Sequence, residues 1–217
     1  MTNEVRLCDN MEYMKTVPDG YFELAIVDPP YGIGEDGGKF RGKKGEWHRV
    51  LEKKEWDKET PPQQYFNELF RISQNQIIWG GNYFTDKVPV SRCWLYWDKL
   101  MSGDFSDGEL AWTSFDKVLK KFTMCNKYHG KIHPTQKPVA LYKWILKNYA
   151  KPGYKIFDSH VGSGSSRIAC YDMGFDFIGC EKDEDYWNAQ EKRYHDYTAQ
   201  ASLFSGAELQ KEMFKET

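Results

Sequence analysis

Short apolar runs alternate along the chain with longer stretches that have helical spacing, and this alternation predicts an α/β protein. Residues 22–27 read as a buried strand. Residues 62–73 read as a helix with Tyr65, Phe66, Leu69 and Phe70 on one side. A second strand at 76–79 stops at Gly80-Gly81. Residues 92–97 and 110–114 read as a hairpin at one sheet edge, joined by the turn-rich segment SGDFSDG. An amphipathic helix follows at 138–150, with Pro138 in its first turn and Pro152-Gly153 just past its end. Then come a strand at 155–157, a helix at 165–173 stopped by Gly174, a strand at 175–180 and a helix from about 183 to 197. Such an order places helices on both faces of a mostly parallel sheet.

The chain has 217 residues, which suits one domain, read as 1–199 followed by a polar tail at 200–217. Residues 32–62 are rich in Gly and charge and poor in aliphatic side chains, so they read as a substrate-facing insertion. No run approaches the roughly 18 apolar residues of a membrane span, and the N-terminus has no charged-then-apolar signal pattern. The expectation is a cytoplasmic protein without a membrane partner. Cys8, Cys93, Cys125, Cys170 and Cys180 show no C-x-x-C spacing and read as reduced core residues; with the histidines equally scattered, no metal site is expected. Net charge is −2, but it is unevenly spread: residues 117–137 hold six lysines and no acid, while residues 172–191 hold seven acids and one lysine. One basic face could therefore meet phosphates.

Two segments carry chemistry. Asp28-Pro29-Pro30-Tyr31 closes the first apolar run and offers a carboxylate, a prolyl carbonyl held by fixed φ angles, and an aromatic face. Those are the parts needed to grip a flat base by its exocyclic amine. The second segment, DSHVGSGSS from Asp158 to Ser166, offers close backbone approach at a helix start. It lacks the Gly-Lys-Ser/Thr of a P-loop and has Arg167 where a dinucleotide fingerprint wants its third Gly, which disfavours a nucleoside triphosphate or NAD. Glu181 then follows Cys180 at the next strand end, where such folds set a carboxylate on ribose hydroxyls. A nucleoside-bearing ligand without a pyrophosphate fits, and S-adenosylmethionine is one.

Asp28 to Tyr31, the run HPTQKP from His133 to Pro138, and Asp158 to Ser166 together resemble the DNA amino-methyltransferases, specifically the β group, in which the catalytic turn precedes the cofactor loop. The resemblance covers most of the chain, and IIWGGNYF and WLYWDK are similar to small phage-type members, as found in bacteria and phage-infected hosts. It implies a Rossmann-like, circularly permuted S-adenosylmethionine-dependent fold, site-specific DNA methylation and a place in restriction-modification. It further implies that Asp28, Pro29, Pro30 and Tyr31 are catalytic. Asp158, His160, Gly162 and Gly164, with Ser165 and Ser166 beside them, would lie against the cofactor, together with Asp28. Glu181 would take its ribose and Asp9 its purine, while His133, Thr135 and Lys137 would hold its amino-acid end. Ser159 and His160 depart from the family's usual Pro and Phe, so the aromatic position keeps a ring but becomes polar.

If Asp28 and the Pro29 carbonyl accept the two N–H hydrogens of an adenine or cytosine amine, its lone pair turns toward the sulfonium methyl. Transfer is then a direct displacement, helped by positioning and electrostatics. The base must leave the duplex, and Tyr31 would stack on it. With no large recognition domain, DNA falls to Lys39, Arg41, Lys43 and Lys44 in the insertion and to Lys117, Lys120, Lys121, Lys127 and Lys131 in the basic segment at 115–132. Asp in the first motif position favours N6-adenine over N4-cytosine as the target. A protein that keeps the fold but only binds DNA or the replication sliding clamp is the reading of another class. For the clamp, Gln200, Leu203 and Phe204 resemble a docking pentapeptide in the tail. The family resemblance also makes a homodimer an expectation.

Overall fold

The computed structural model describes residues 1–37, 53–100, 106–125 and 130–213, the last thirteen of these by backbone alone. Strands β1 (Asn3–Leu7), β2 (Leu24–Val27), β3 (Gln76–Trp79), β4 (Trp94–Asp98), β5 (Gly108–Thr113), β6 (Lys120–Thr123), β7 (Lys155–Asp158) and β8 (Asp176–Glu181) form one sheet in the order β1-β8-β7-β2-β3-β5-β4-β6. Only β5 runs against the others. Helices α1 (Asn10–Thr16) and α2 (Gln63–Ile72) cover one face, and α3 (Val139–Tyr149) and α4 (Ser165–Met173) cover the other, with α5 (Glu184–Met213) packed beside β1 and β8.

Central strands are apolar throughout because both of their faces are covered. Leu24 and Ile26 of β2 enter the core under α3 and α4, whereas Ala25 and Val27 enter the core under α1 and α2. Helix α2 completes the second core with Tyr65, Phe66, Leu69 and Ile72. Helix α4 is bounded by left-handed glycines, Gly164 at its start and Gly174 at its end. Between them Arg167 is buried: it donates to Asn3 Oδ1 at 2.7 Å, Gln190 Oε1 at 3.0 Å and Glu191 Oε1 at 2.7 Å. That position therefore ties α4 to β1 and α5, and a glycine there would leave the joint open.

Three expectations change. The hairpin β4–β5 is not the sheet edge, because β6 pairs in parallel beyond it. Strand β6 lies in the basic segment, and its side chains are exposed except for Phe122, which packs on Trp144; a strand with one covered side chain leaves no apolar alternation to read. The presumed tail is helical as far as Met213, in line with a run of good helix formers without proline. Finally, β1 and α1 escaped the pattern analysis, since β1 buries only Val5 fully.

Candidate active site

Parallel strands direct their carboxyl ends to one edge of the sheet, and ligands of open α/β sheets bind outside that edge. Asp9, Asp28, Gly80, Asp158 and Glu181 all follow or end such strands. Strands β2 and β7 are neighbours, so the two motifs that are far apart in sequence meet in space. Between them lies a cavity of about 630 Å³, within the range of small-ligand sites. Asp9, Asp28, His133, Thr135, Lys137, His160, Gly162 and Glu181 line it.

Glu181 is held by backbone: Oε2 accepts from Gly162 N at 2.9 Å and Oε1 from Asp183 N at 2.9 Å. Each oxygen keeps a lone pair for a further donor. Burial raises this carboxyl above its ordinary range, against the pull of those N–H groups. Asp9 caps α1 by accepting from Met11 N and Glu12 N. His133 packs between Trp56 at 5.3 Å and Tyr186 at 4.4 Å, and Thr135 bonds its Nδ1 at 3.1 Å. Burial and then Lys137 push His133 down to about 3, so the ring is neutral.

His160 explains how a polar residue replaces the family's phenylalanine. Asn10 Nδ2 donates to its Nε2 at 3.0 Å, which leaves the proton on Nδ1 to be given to Ser159 Oγ at 2.8 Å. Tyr65 OH meets the same Ser159 Oγ at 2.6 Å. Both ring nitrogens are thus occupied within the protein, and burial, aided by Lys182, pushes the imidazole down to about 3. A neutral flat ring faces the cavity.

Asp158, Gly164, Ser165 and Ser166 do not line the cavity. Asp158 is buried and accepts from His160 N at 3.0 Å and from Ser166 Oγ at 2.6 Å, so it closes the loop on itself; burial lifts it to about 7. Gly164 faces Gln190, and Ser165 is bound by Arg193 at 3.0 Å. These four residues shape the loop from beneath.

Asp28 borders the cavity just after β2. Its Oδ1 accepts from Tyr31 OH at 2.6 Å and its Oδ2 from Lys137 Nζ at 2.5 Å. Lys137, expected at the amino-acid end of a cofactor, pairs its ammonium with Asp28, and its side chain also borders the cavity. Tyr31 was expected to stack on the base. Instead its ring stacks on Tyr83 at 5.1 Å and 15°. A base that stacks on Tyr31 must displace Tyr83 or draw the ring outward.

Sequence reasoning missed Asp57. This residue, 2% exposed, accepts from Tyr31 N at 2.7 Å, Gly32 N at 2.8 Å and Glu35 N at 2.9 Å, and so sets the path of the chain after the Asp28–Tyr31 turn. It lay unseen in a loop without periodicity. Nearby Lys54 pairs with Asp183 at 3.1 Å and with Asp185, which fastens the end of the insertion over the cavity. Replacing Asp57 by Ala leaves three N–H groups without their acceptor and should lower stability by about 2–3 kcal/mol, read as a shift of the urea midpoint.

Among the basic candidates, Lys39, Arg41, Lys43, Lys44 and Lys127 lie outside the described residues. Lys117 precedes β6 and donates to Asn148 O at 3.1 Å. Lys120 is exposed on β6, Lys121 pairs with Asp98 at 3.3 Å, and Lys131 is half-buried near Lys99 and Glu109. Gln200 is exposed on α5, so a docking peptide there starts from helix; the side chains of Leu203 and Phe204 lie outside the described residues. No cluster of metal-ligating side chains occurs among the described residues, and no helix there is long and apolar enough to cross a membrane.

The sequence profile described as DNA methylase, covering N6 and N4 amino-methyltransferases, matches residues 78–192. The chain belongs to this family. Its motif order makes it a β-group amino-methyltransferase. Among relatives, it is 23% identical to the type II methyltransferase M2.MboI of Moraxella bovis, over 87% of this chain and 86% of that protein. It is 28% identical to M2.LlaDCHI of Lactococcus lactis, but there it spans only 52% of the relative's length. The fold matches the crystal structure of an M1.HpyAVI–S-adenosylmethionine complex with a TM-score of 0.62 at 16% identity, over 88% of this chain and 98% of that one. It matches the cytosine-N4-specific PvuII DNA methyltransferase with a TM-score of 0.61 at 12% identity, over 89% of this chain and 86% of that one.

Proposed function

We propose that this methylase transfers a methyl group from S-adenosylmethionine to the exocyclic N6 amine of an adenine flipped out of DNA. The observation that carries this reading is that the carboxylates of Asp28, after β2, and Glu181, at the end of β8, line one cavity. The residues fit the cofactor. Glu181 keeps acceptor capacity for a sugar hydroxyl, Gly162 brings its backbone to the cavity wall, and the neutral rings of His133 and His160 set no positive charge beside a sulfonium. When bound, the cofactor supplies an activated methyl group. Everything else is done by the protein: Asp28, with the Pro29 carbonyl, accepts the amine's hydrogens and turns its lone pair outward.

Burial raises Asp28 above the ordinary carboxylate range, Lys137 opposes the rise and Glu109 adds to it. The transfer needs the ionised form, because only that form accepts on both oxygens. Adenine as the target is supported by Asp, where cytosine enzymes of the family lean to Ser. Digesting methylated DNA to nucleosides and weighing them should give N6-methyldeoxyadenosine. N4-methyldeoxycytidine alone would overturn the choice of base while leaving the reaction class intact.

A further inference from the structure

The charges around Asp28 do not end at Lys137. Lys137, with a side chain only 2% exposed, touches a second acid, Glu109 Oε2, at 2.9 Å. Glu109 Oε1 is held in turn by Lys99 Nζ at 2.6 Å, and its side chain is 17% exposed. The order Lys99–Glu109–Lys137–Asp28 alternates in sign and sums to no charge. Its geometry depends on the fold: Glu109 lies near the start of β5, and only because β5 runs against its neighbours does that end meet the carboxyl ends of β2 and β3. Tyr31 OH spans the two acids, at 2.6 Å from Asp28 and 3.4 Å from Glu109.

A cation with one carboxylate partner collapses onto it, and Asp28 must keep its oxygens available for an amine. A second carboxylate on the far side of the ammonium divides that attraction. We propose that Glu109 is a positioning residue for methyl transfer, which holds Lys137 between two carboxylates so that Asp28 stays aimed and open to the base amine, with Lys99 fixing Glu109. This rests on the proposed methyl transfer to DNA. The groups that face Asp28 are Lys137 from the segment before α3, Tyr31 from its own turn and Glu109 from β5, with Asp158 at the end of β7 and Tyr65 on α2 farther out. Burial alone would raise Glu109, but Lys137 and Lys99 outweigh it and bring the carboxyl down to about 2, so it is an anion throughout the working range.

The test is Glu109→Gln, an isostere that removes the charge, read in two ways. In carboxyl carbon NMR, with the Asp28 signal assigned by its loss in Asp28→Asn, the Asp28 midpoint should fall by about one pH unit or more, since an anion has left its surroundings. In methyl-transfer kinetics kcat should fall about 10- to 100-fold, with KM for DNA little changed and the acid limb moved to lower pH. Glu109→Asp, which keeps the charge, should recover part of kcat and the original limb, and it serves as the second variant if the glutamine chain does not fold. An Asp28 midpoint that stays in place in Glu109→Gln, or equal losses in the Gln and Asp variants, would overturn the role. The NMR titration needs no turnover. A wild-type chain that methylates no DNA therefore counts against the proposed function, while the Asp28 midpoint still decides the part of Glu109.

Discussion

Asp28→Ala should lower methyl transfer by at least about 10³-fold while S-adenosylmethionine still binds within about tenfold of the wild-type affinity. The asymmetry follows from placement. Asp28 follows β2 and is held by Tyr31 and Lys137, whereas Glu181 and Gly162 bond each other on another part of the cavity lining, beside the loop that Asp158 closes. The fold should survive, because Lys137 retains Glu109 at 2.9 Å and is not left as a lone buried cation. Asn at the same position keeps one acceptor oxygen but turns an NH₂ toward the amine, so it should also lose most activity. Calorimetric titration of the cofactor and a transfer assay on the same preparations check both halves. Loss of cofactor binding together with transfer would mean that Asp28 serves the cofactor instead of the base.

Gly80→Ala should have the second-largest effect, at least about 100-fold on transfer with about 2–4 kcal/mol lost in stability. Gly80 follows β3 with φ of +70°, a region in which L side chains are strained, and a Cβ there would lie 2.1 Å from Cε1 of Tyr31. The ring cannot simply lean away, for its other side is stacked on Tyr83. Moving Tyr31 breaks its bond to Asp28 and disturbs the turn that aims the carboxylate. Urea denaturation and the transfer assay measure the two losses. Wild-type activity in this variant would show that the seat of Tyr31 does not matter for transfer.

Much of this site was legible in the sequence because its parts are contiguous. Asp28 to Tyr31 and Asp158 to Ser166 each follow an apolar run, and a strand ending in Pro or Gly leaves a recognisable stop. What escaped was built by contacts between distant segments. Glu109 reaches Lys137 only through the reversal of β5, a property of sheet order that periodicity does not encode. Tyr65 read as a core residue of an amphipathic helix, and its hydroxyl does reach Ser159 from that core. Contacts within the motifs were also beyond the sequence: Ser166 donates to Asp158, and Lys137, while bordering the cavity, donates to Asp28. A motif says which residues gather at a strand end. Only the packing says which of them face the ligand.

The most direct test of the central claim uses purified protein, S-adenosylmethionine labelled in its methyl group, and unmodified duplex DNA, with the label counted in nuclease-digested, protein-free DNA. Label is expected on an exocyclic amine in the wild-type reaction and on none with Asp28→Ala. Label absent from DNA although the cofactor is bound, or equal label with and without Asp28, would contradict it.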